Sequence, residues 1–230
     1  MKVLALIPAR GGSKRLPGKN IRDFGGRPLI AWSVEVVHGI PDICEVLVST
    51  DDAAIAEVAV AAGAWVPWFR PSELATDSAS SVDVALHALD WYETLRGPVD
   101  ALLLLQPTSP LRTRSTVQRG LELFNTSARS AVVAVSPVQS HPYWCFRIED
   151  GQLQPFVAGV EVLRRSQDLP PAFALNGALY IIAPSTLRTM RSFVPDGTRA
   201  LLIDNPYEAI DIDTELDWRL AELALEMILK

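Results

Sequence analysis

The chain has 230 residues, 49% of them apolar, and a formal net charge of −6. That supplies a sizeable core for one large domain, and the acidic balance argues against a nucleic-acid surface. No stretch reaches the roughly 20 apolar residues of a membrane span, and two distant cysteines do not make a disulfide scaffold.

Cys44 and Cys145 read as free thiols of a reducing compartment. The apolar run after Lys2 is only strand-length, which does not fit a signal peptide, so the expected location is the cytoplasm. That run, Val3 to Ile7, predicts a buried strand ending at Pro8. The loop Ala9 to Asn20 follows, with Gly11, Gly12 and a dense cluster of cations. From Arg10 to Arg27 there are six basic residues and one acid, Asp23. A buried strand opening into a Gly-rich basic loop is a way to receive phosphate. A solvated basic surface loop is the plainer alternative. Neither G-x-G-x-x-G nor a Walker A motif is present: Asn20 follows Gly18-Lys19, and Ser13 stands where the first glycine belongs.

Pro28 followed by LIAWSVEVVHGI predicts a helix ending near Gly39. Glu45 to Ser49 predicts a second strand, after which Asp51 can cap a helix over Ala53 to Ala62. Gly63 stops that helix, and AWVPWF reads as a short third strand. An irregular stretch, RPSELATDSASS, precedes a helix over Val82 to Leu95. Ala101 to Leu105 is apolar on both faces, as a central parallel strand requires. A helix over 115–124 and a buried strand over 131–135 follow. This alternation predicts a parallel, doubly wound sheet.

From Ser136 to Ala174 the rhythm breaks. Segments 143–148 and 152–157 are spaced as a hairpin around Asp150-Gly151. Tyr143, Trp144 and Phe146 are expected to be exposed and to suit a subunit interface. Regular structure resumes with NGALYIIA at 176–183, a short helix, a last strand over 200–204, and a closing helix over about 214–229.

The segment IDIDTELDW, 210–218, is the second site signal. Alternation places Asp211 and Asp213 on one face of an extended stretch, where their mutual repulsion calls for a cation. Mg²⁺ suits such oxygen ligands. The alternative is that Asp213 or Thr214 merely caps the last helix. Gln106, Thr108 and Ser109 follow a central strand, and Arg70, Ser80 and Ser81 lie in the loop after the third. All fall beyond the same sheet edge, where open sheets bind ligands. His38, His87 and His141 show no metal-ligand spacing and are read as structural.

The segments IPARGGSKRLPGKN (7–20), STDD (49–52), RPSELATDSASS (70–81), LQPTSPLR (105–112), RRSQDLPPAFALNGALYI (164–181) and IDIDTELDW (210–218) resemble the acylneuraminate cytidylyltransferases, which make CMP-sialic acid. The resemblance runs in order along nearly the whole chain. It implies a Rossmann-like, doubly wound, mainly parallel α/β domain over 1–230, with a small dimerisation segment inserted at 137–174. It implies Mg²⁺-dependent attack of the anomeric hydroxyl of a nine-carbon 2-keto acid sugar on the α-phosphate of CTP, with release of pyrophosphate. Arg10, Lys14 and Lys19 would bind the triphosphate; Gly11, Gly12 and Ser13 would bind the nucleotide, with the backbone of the first loop helping to read cytosine; and Asn20 would hold ribose or phosphates. Arg70 and Ser81 would read cytosine. Asp211 and Asp213 would hold the metal. Gln106, Thr108, Ser109, Asn176 and Tyr180 would face the sugar. In a homodimer, Arg164 or Arg165 would reach the partner's site and pair with the sugar carboxylate. The same resemblance admits legionaminate or pseudaminate as the sugar, and GTP as the nucleotide in some legionaminate enzymes. A nucleotide-binding regulator without chemistry is the contrasting reading; it would lack one of Arg10, Lys14, Lys19, Asp211 or Asp213, and all five are present.

Overall fold

A computed structural model describes residues 1–159 and 165–229. In chain order the elements are β1 (Val3–Pro8), β2 (Asp23–Phe24), β3 (Arg27–Pro28), α1 (Leu29–Glu35), β4 (Ile43–Ser49), α2 (Ala53–Ala61), α3 (Ser81–Arg96), β5 (Ala101–Leu104), α4 (Arg114–Thr126), β6 (Val132–Pro137), β7 (Phe146–Glu149), β8 (Gln152–Pro155), β9 (Phe173–Ile182), α5 (Pro184–Met190), β10 (Arg199–Leu202) and α6 (Glu215–Ile228). The central sheet has the order β10-β6-β9-β5-β1-β4. β1 runs parallel to β4 and β5, and β10 runs parallel to β6. This is the mainly parallel α/β architecture anticipated from the alternation, with helices on both faces.

One strand departs from that pattern. β9 is antiparallel to both of its neighbours, β5 and β6. Its start pairs Phe173 with Pro137, the last residue of β6. The excursion between them therefore leaves and re-enters at the same end of the sheet, and the returning strand must run backward, as across a long hairpin. The β6–β9 register slips between Val133 and Val135. Four β9 residues from Asn176 to Leu179 sit opposite one β6 residue, and Gly177 takes a φ of +76° there. The bulge bends β9 beside the loop that follows β5.

Local departures have local causes. α1 is one turn shorter than its sequence suggests: turns follow Glu35 and end at Gly39, with φ +68°. AWVPWF makes only two isolated bridges, Leu47 to Trp65 and Thr50 to Phe69, because Pro67 between them has no N–H to give. Asp52, not Asp51, caps α2, accepting from the amides of Ala54 and Ile55. β7 and β8 form the anticipated hairpin, turning through Asp150 and Gly151, both at positive φ. Cys44 and Cys145 are free. No helix among the described residues is long and apolar enough to cross a membrane.

Two apolar clusters fill the faces of the sheet. A third lies apart, beneath the first loop, and joins Leu16, Phe24, Leu29 and Leu111 to Ile212, Trp218 and Leu225. Trp218 is fully buried and meets the Phe24 ring edge-on at 5.5 Å, while the Arg22 guanidinium lies 4.2 Å from its ring centre. Thr214 caps α6 in a reciprocal box with Asp217. Ring and cap together fix where the 210–213 segment can lie. Trp218→Ala should cost roughly 3–5 kcal/mol and Thr214→Ala about 1 kcal/mol, read from urea unfolding midpoints.

Candidate active site

The site forms where β1, β4 and β5 end. Ala9 continues the β1–β4 ladder by donating to the Ser49 carbonyl at 3.0 Å. Gly11 then donates to Asp51 Oδ1 at 3.0 Å. A Cβ on Gly11 would meet Asp52 Oδ2 at 2.5 Å, so the backbone passes Asp52 only without a side chain. Gly11 thus faces the α2 cap, and neither it nor Gly12 lines the hollow; the Gly11 amide expected to meet phosphate is engaged by Asp51. Farther on, Asn20 Nδ2 donates to the Arg10 carbonyl at 3.0 Å and closes the loop on itself.

The loop encloses a polar hollow of about 740 Å³. Arg10, Ser13, Lys14, Arg15, Lys19 and Asn20 line one side, Arg70, Thr76, Asp77 and Ser81 the opposite side, and Gln106, Thr108, Asp211 and Asp213 the floor. A second hollow of about 490 Å³ adjoins it, lined by Ser136, Asn176, Gly177 and Tyr180. Gln106 and Asp211 border both.

Each group has a defined support. The buried Lys19 donates to the Ile212 carbonyl at 2.6 Å and to Asp213 Oδ1 at 3.1 Å. Arg15 reaches the other oxygen of Asp213 at 3.3 Å. Asp213 is therefore already neutralised by two side chains of the first loop. Asp211 is held differently. Burial pushes its carboxyl above the usual range, Thr108 opposes the shift, and Asp213 adds to it. The Thr108 carbonyl accepts from the Ile212 amide at 2.8 Å and pins the segment between the two aspartates.

Arg70 is a buried strut: its Nε donates to Ser49 Oγ at 3.0 Å and its Nη2 to the Ser49 carbonyl. Burial lowers its pKa to about 10. Ser80 caps α3, so Ser81 lies in the first turn of a helix that opens at the hollow. Asn176 is braced by Ser136 at 2.9 Å and by the Ala178 amide at 3.1 Å. Burial raises the Tyr180 hydroxyl pKa, with Asp211 adding to the shift.

Ser109 departs from its expected place. It is fully buried, its hydroxyl has no partner among the described residues, and it lines neither hollow. Arg165 is exposed, and Arg164 lies outside the described residues. Tyr143 is half-buried, its ring 4.8 Å from that of His141, while Trp144 and Phe146 are exposed.

Other working residues were not singled out from sequence. Asp77 pairs with Arg10 at 2.6 Å and with Lys14, and both cations hold its carboxyl below the usual range. Its signal was present, as the one acid of RPSELATDSASS beyond the Pro-Ser-Glu turn. Arg112 is buried and donates to Ser33 Oγ at 2.9 Å and to the Gln106 carbonyl; burial lowers its pKa to about 9. It fixes the Gln106 backbone from below. Glu208 accepts from Thr116 Oγ1 at 2.6 Å and from the Thr113 amide at 3.1 Å, tying the 204–210 segment to α4. A buried arginine and a buried glutamate look like surface residues in a sequence.

A carboxylate between two cations marks where an anion is welcome, and five cations around one hollow fit an anion of several charges. Beside them stand the two carboxylates of Asp211 and Asp213. A site built this way works on a phosphorylated nucleotide by holding it and neutralising charge, and the protein is a nucleotidyltransferase.

The comparisons agree. The Cytidylyltransferase family model matches residues 4–137, and the chain belongs to that family. It is 40% identical, over 99% of its own length and 97% of the other's, to the CMP-N,N′-diacetyllegionaminic acid synthase of Legionella pneumophila. It is 33% identical to the pseudaminic acid cytidylyltransferase of Campylobacter jejuni over 97% of this chain and 96% of that one. It is 32% identical to the N-acylneuraminate cytidylyltransferase of Streptococcus agalactiae over 95% of this chain, spanning about half (52%) of that longer protein. In fold it matches a CMP:2-keto-3-deoxy-manno-octonic acid synthetase complexed with CTP at a TM-score of 0.71, with 18% identity, over 100% of this chain and 99% of that one.

Asp77 holds Arg10 and Lys14 where an incoming triphosphate would need them. Asp77→Asn should therefore tighten CTP binding several-fold in calorimetry; weaker binding would mean that Asp77 organises these cations for the nucleotide.

Proposed function

We propose that this cytidylyltransferase activates a nine-carbon 2-keto acid sugar with CTP, giving the CMP-sugar and pyrophosphate. The observation that carries the reading is the pair of adjoining hollows joined at Gln106 and Asp211. The larger, cation-rich hollow takes the nucleotide, with Lys14, Arg10 and Lys19 toward the triphosphate and Ser81 toward the base, beside the wall that Arg70 braces. The smaller takes the sugar, with Asn176 and Tyr180 toward its polar substituents. The reacting anomeric hydroxyl and α-phosphate then meet at the shared border. Among sugars, N,N′-diacetyllegionaminate is the first to test, because the legionaminate enzyme is the more similar relative at 40%, against 32–33% for those named for the other two sugars.

Mg²⁺ fits the residues at that border. Asp211 presents a carboxylate whose charge is only partly relieved, and Asp213 stands two residues away in the same extended segment. No cluster of three or more His, Cys, Asp or Glu among the described residues could hold a metal. One or two carboxylates completed by phosphate oxygens is a usual arrangement for Mg²⁺. The ion would neutralise charge on the phosphates. Asp211 would anchor it, and Lys19 would keep Asp213 oriented toward the same point.

The hairpin segment favours a homodimer. Ile148, Leu153, Phe156, Phe173 and Leu175 are exposed there, together with Trp144 and Phe146. No basic residue is among those lining the sugar-side hollow, so the sugar carboxylate needs a cation from elsewhere. Arg165, or Arg164 beyond the described residues, would come from the partner subunit.

Pyrophosphate release should appear with CTP and one of diacetyllegionaminate, pseudaminate or N-acetylneuraminate. GTP productive in place of CTP would overturn the nucleotide assignment. Asp211→Asn should abolish turnover without loss of stability. Its folded pKa is raised, so burial of this group stabilises the fold only below the ordinary carboxylate range and costs stability as pH rises through the raised value. At neutral pH the amide removes that cost, and unfolding midpoints should hold or rise. Deleting residues 140–169 should halve the assembled mass by sedimentation if the hairpin makes the dimer.

A further inference from the structure

The last helix carries two apolar faces, and only one is used. Trp218, Ala221, Ala224 and Leu225 turn inward and are buried. Leu216, Leu220, Leu223 and Met227 lie along the opposite side and are 69%, 50%, 55% and 55% exposed. A single exposed leucine needs no explanation, but a continuous file on the side away from the core does. A helix apolar on both sides is normally buried on both sides.

The spacing of the file is informative. Its steps of four, three and four residues make it the a/d seam of a coiled coil, confined to a stripe along one side of the helix. The seam is symmetric about the middle of α6, between Ala221 and Glu222. A two-fold axis there, perpendicular to the helix, lays a second copy antiparallel with full overlap. Leu216 then faces Met227 of the partner subunit, and Leu220 faces Leu223 of the partner subunit. The flanking charges agree with this orientation. Arg219 and Glu226 lie on the same side of the seam, and antiparallel pairing brings each Arg219 within reach of the partner's Glu226, twice per interface. Arg219 already pairs with Glu215 and Glu222 of its own helix at 3.3 and 2.9 Å, and a parallel pair would set it beside the partner's Ala224, leaving Glu226 without a cation across the seam. Antiparallel alignment also opposes the two helix dipoles favourably.

We infer that the outer face of α6 is a self-association surface, on which two copies of this chain pair through an antiparallel Leu216-Leu220-Leu223-Met227 seam. It is an isologous contact, closed by its own symmetry. It lies in a different part of the chain from the hairpin, so the two contacts together would join dimers into a tetramer. Helices of about 21 Å give a small interface, and the association should depend on protein concentration.

The test is analytical ultracentrifugation over a concentration series, comparing the wild type with Leu220→Glu/Leu223→Glu. Both leucines are exposed in the single chain, so the variant should fold, which circular dichroism and turnover per subunit would verify. The expected result is that the wild type reaches twice the mass of the folded variant. Equal masses at every concentration would overturn the inference. Charge exchange gives a second readout. Glu226→Arg should weaken the association by setting a like charge beside the partner's Arg219, while leaving the pairs of Arg219 with Glu215 and Glu222 intact; unchanged association would rule out the antiparallel register. Repeating the mass measurement without residues 140–169 separates this face from the hairpin. Halving of the mass by the leucine variant in that background supports the α6 contact whatever becomes of the hairpin reading.

Discussion

The buried ammonium of Lys19 is the constraint on which the site depends. It bridges the first loop of the chain to the Ile212 carbonyl and Asp213, more than 190 residues away. Desolvating a lysine is costly unless carboxylate and carbonyl partners are supplied together. The chain supplies them by burying Ile212 and Trp218 against Phe24 and Leu16, in a small core set apart from the two that flank the sheet. Packing beneath the loop and ion pairing within it thus stabilise one arrangement. That arrangement keeps Asp211 and Asp213 beside the basic rim.

The charges fall into two groups with different duties. Arg70 and Arg112 are buried and committed to Ser49, Ser33 and the Gln106 carbonyl, so they shape the walls. Burial lowers the pKa of both, and each remains cationic at neutral pH. Arg10, Lys14 and Arg15 are more open and pair only with carboxylates at the rim. Rigid walls with exchangeable rim contacts suit a transferase that must release pyrophosphate as well as bind nucleotide. The bulge at Asn176-Gly177 serves the same end. A Cβ at Gly177 would lie 2.7 Å from Gln106 Oε1, so glycine there lets the residue on the border of the two hollows keep its place.

Much of this could be read along the chain, because the signals were local. Alternating strands and helices, the Gly-rich basic loop and the IDID alternation each depend on neighbours in sequence. Thr214 and Asp217 form their capping box within four residues. Where neighbours in sequence offered two equivalent choices, local reasoning could err. Asp51 and Asp52 are both able to cap α2, and the approach of Gly11 decides that Asp51 is taken by the loop and Asp52 by the helix. Ser109 reads as a ligand by position after β5, yet the close approach of β9 buries it.

The amino-acid sequence alone determined the α/β class, the Gly-rich basic character of the first loop and the acidic pair near the end, since periodicity and charge clustering are properties of adjacent residues. Only the tertiary structure decided the direction of β9, the pairing of Asp77 with Arg10 and Lys14, and the roles of Arg112 and Glu208. Those depend on which distant segments share one desolvated volume, and burial of an ion pair is settled by what packs around it rather than by what precedes or follows it.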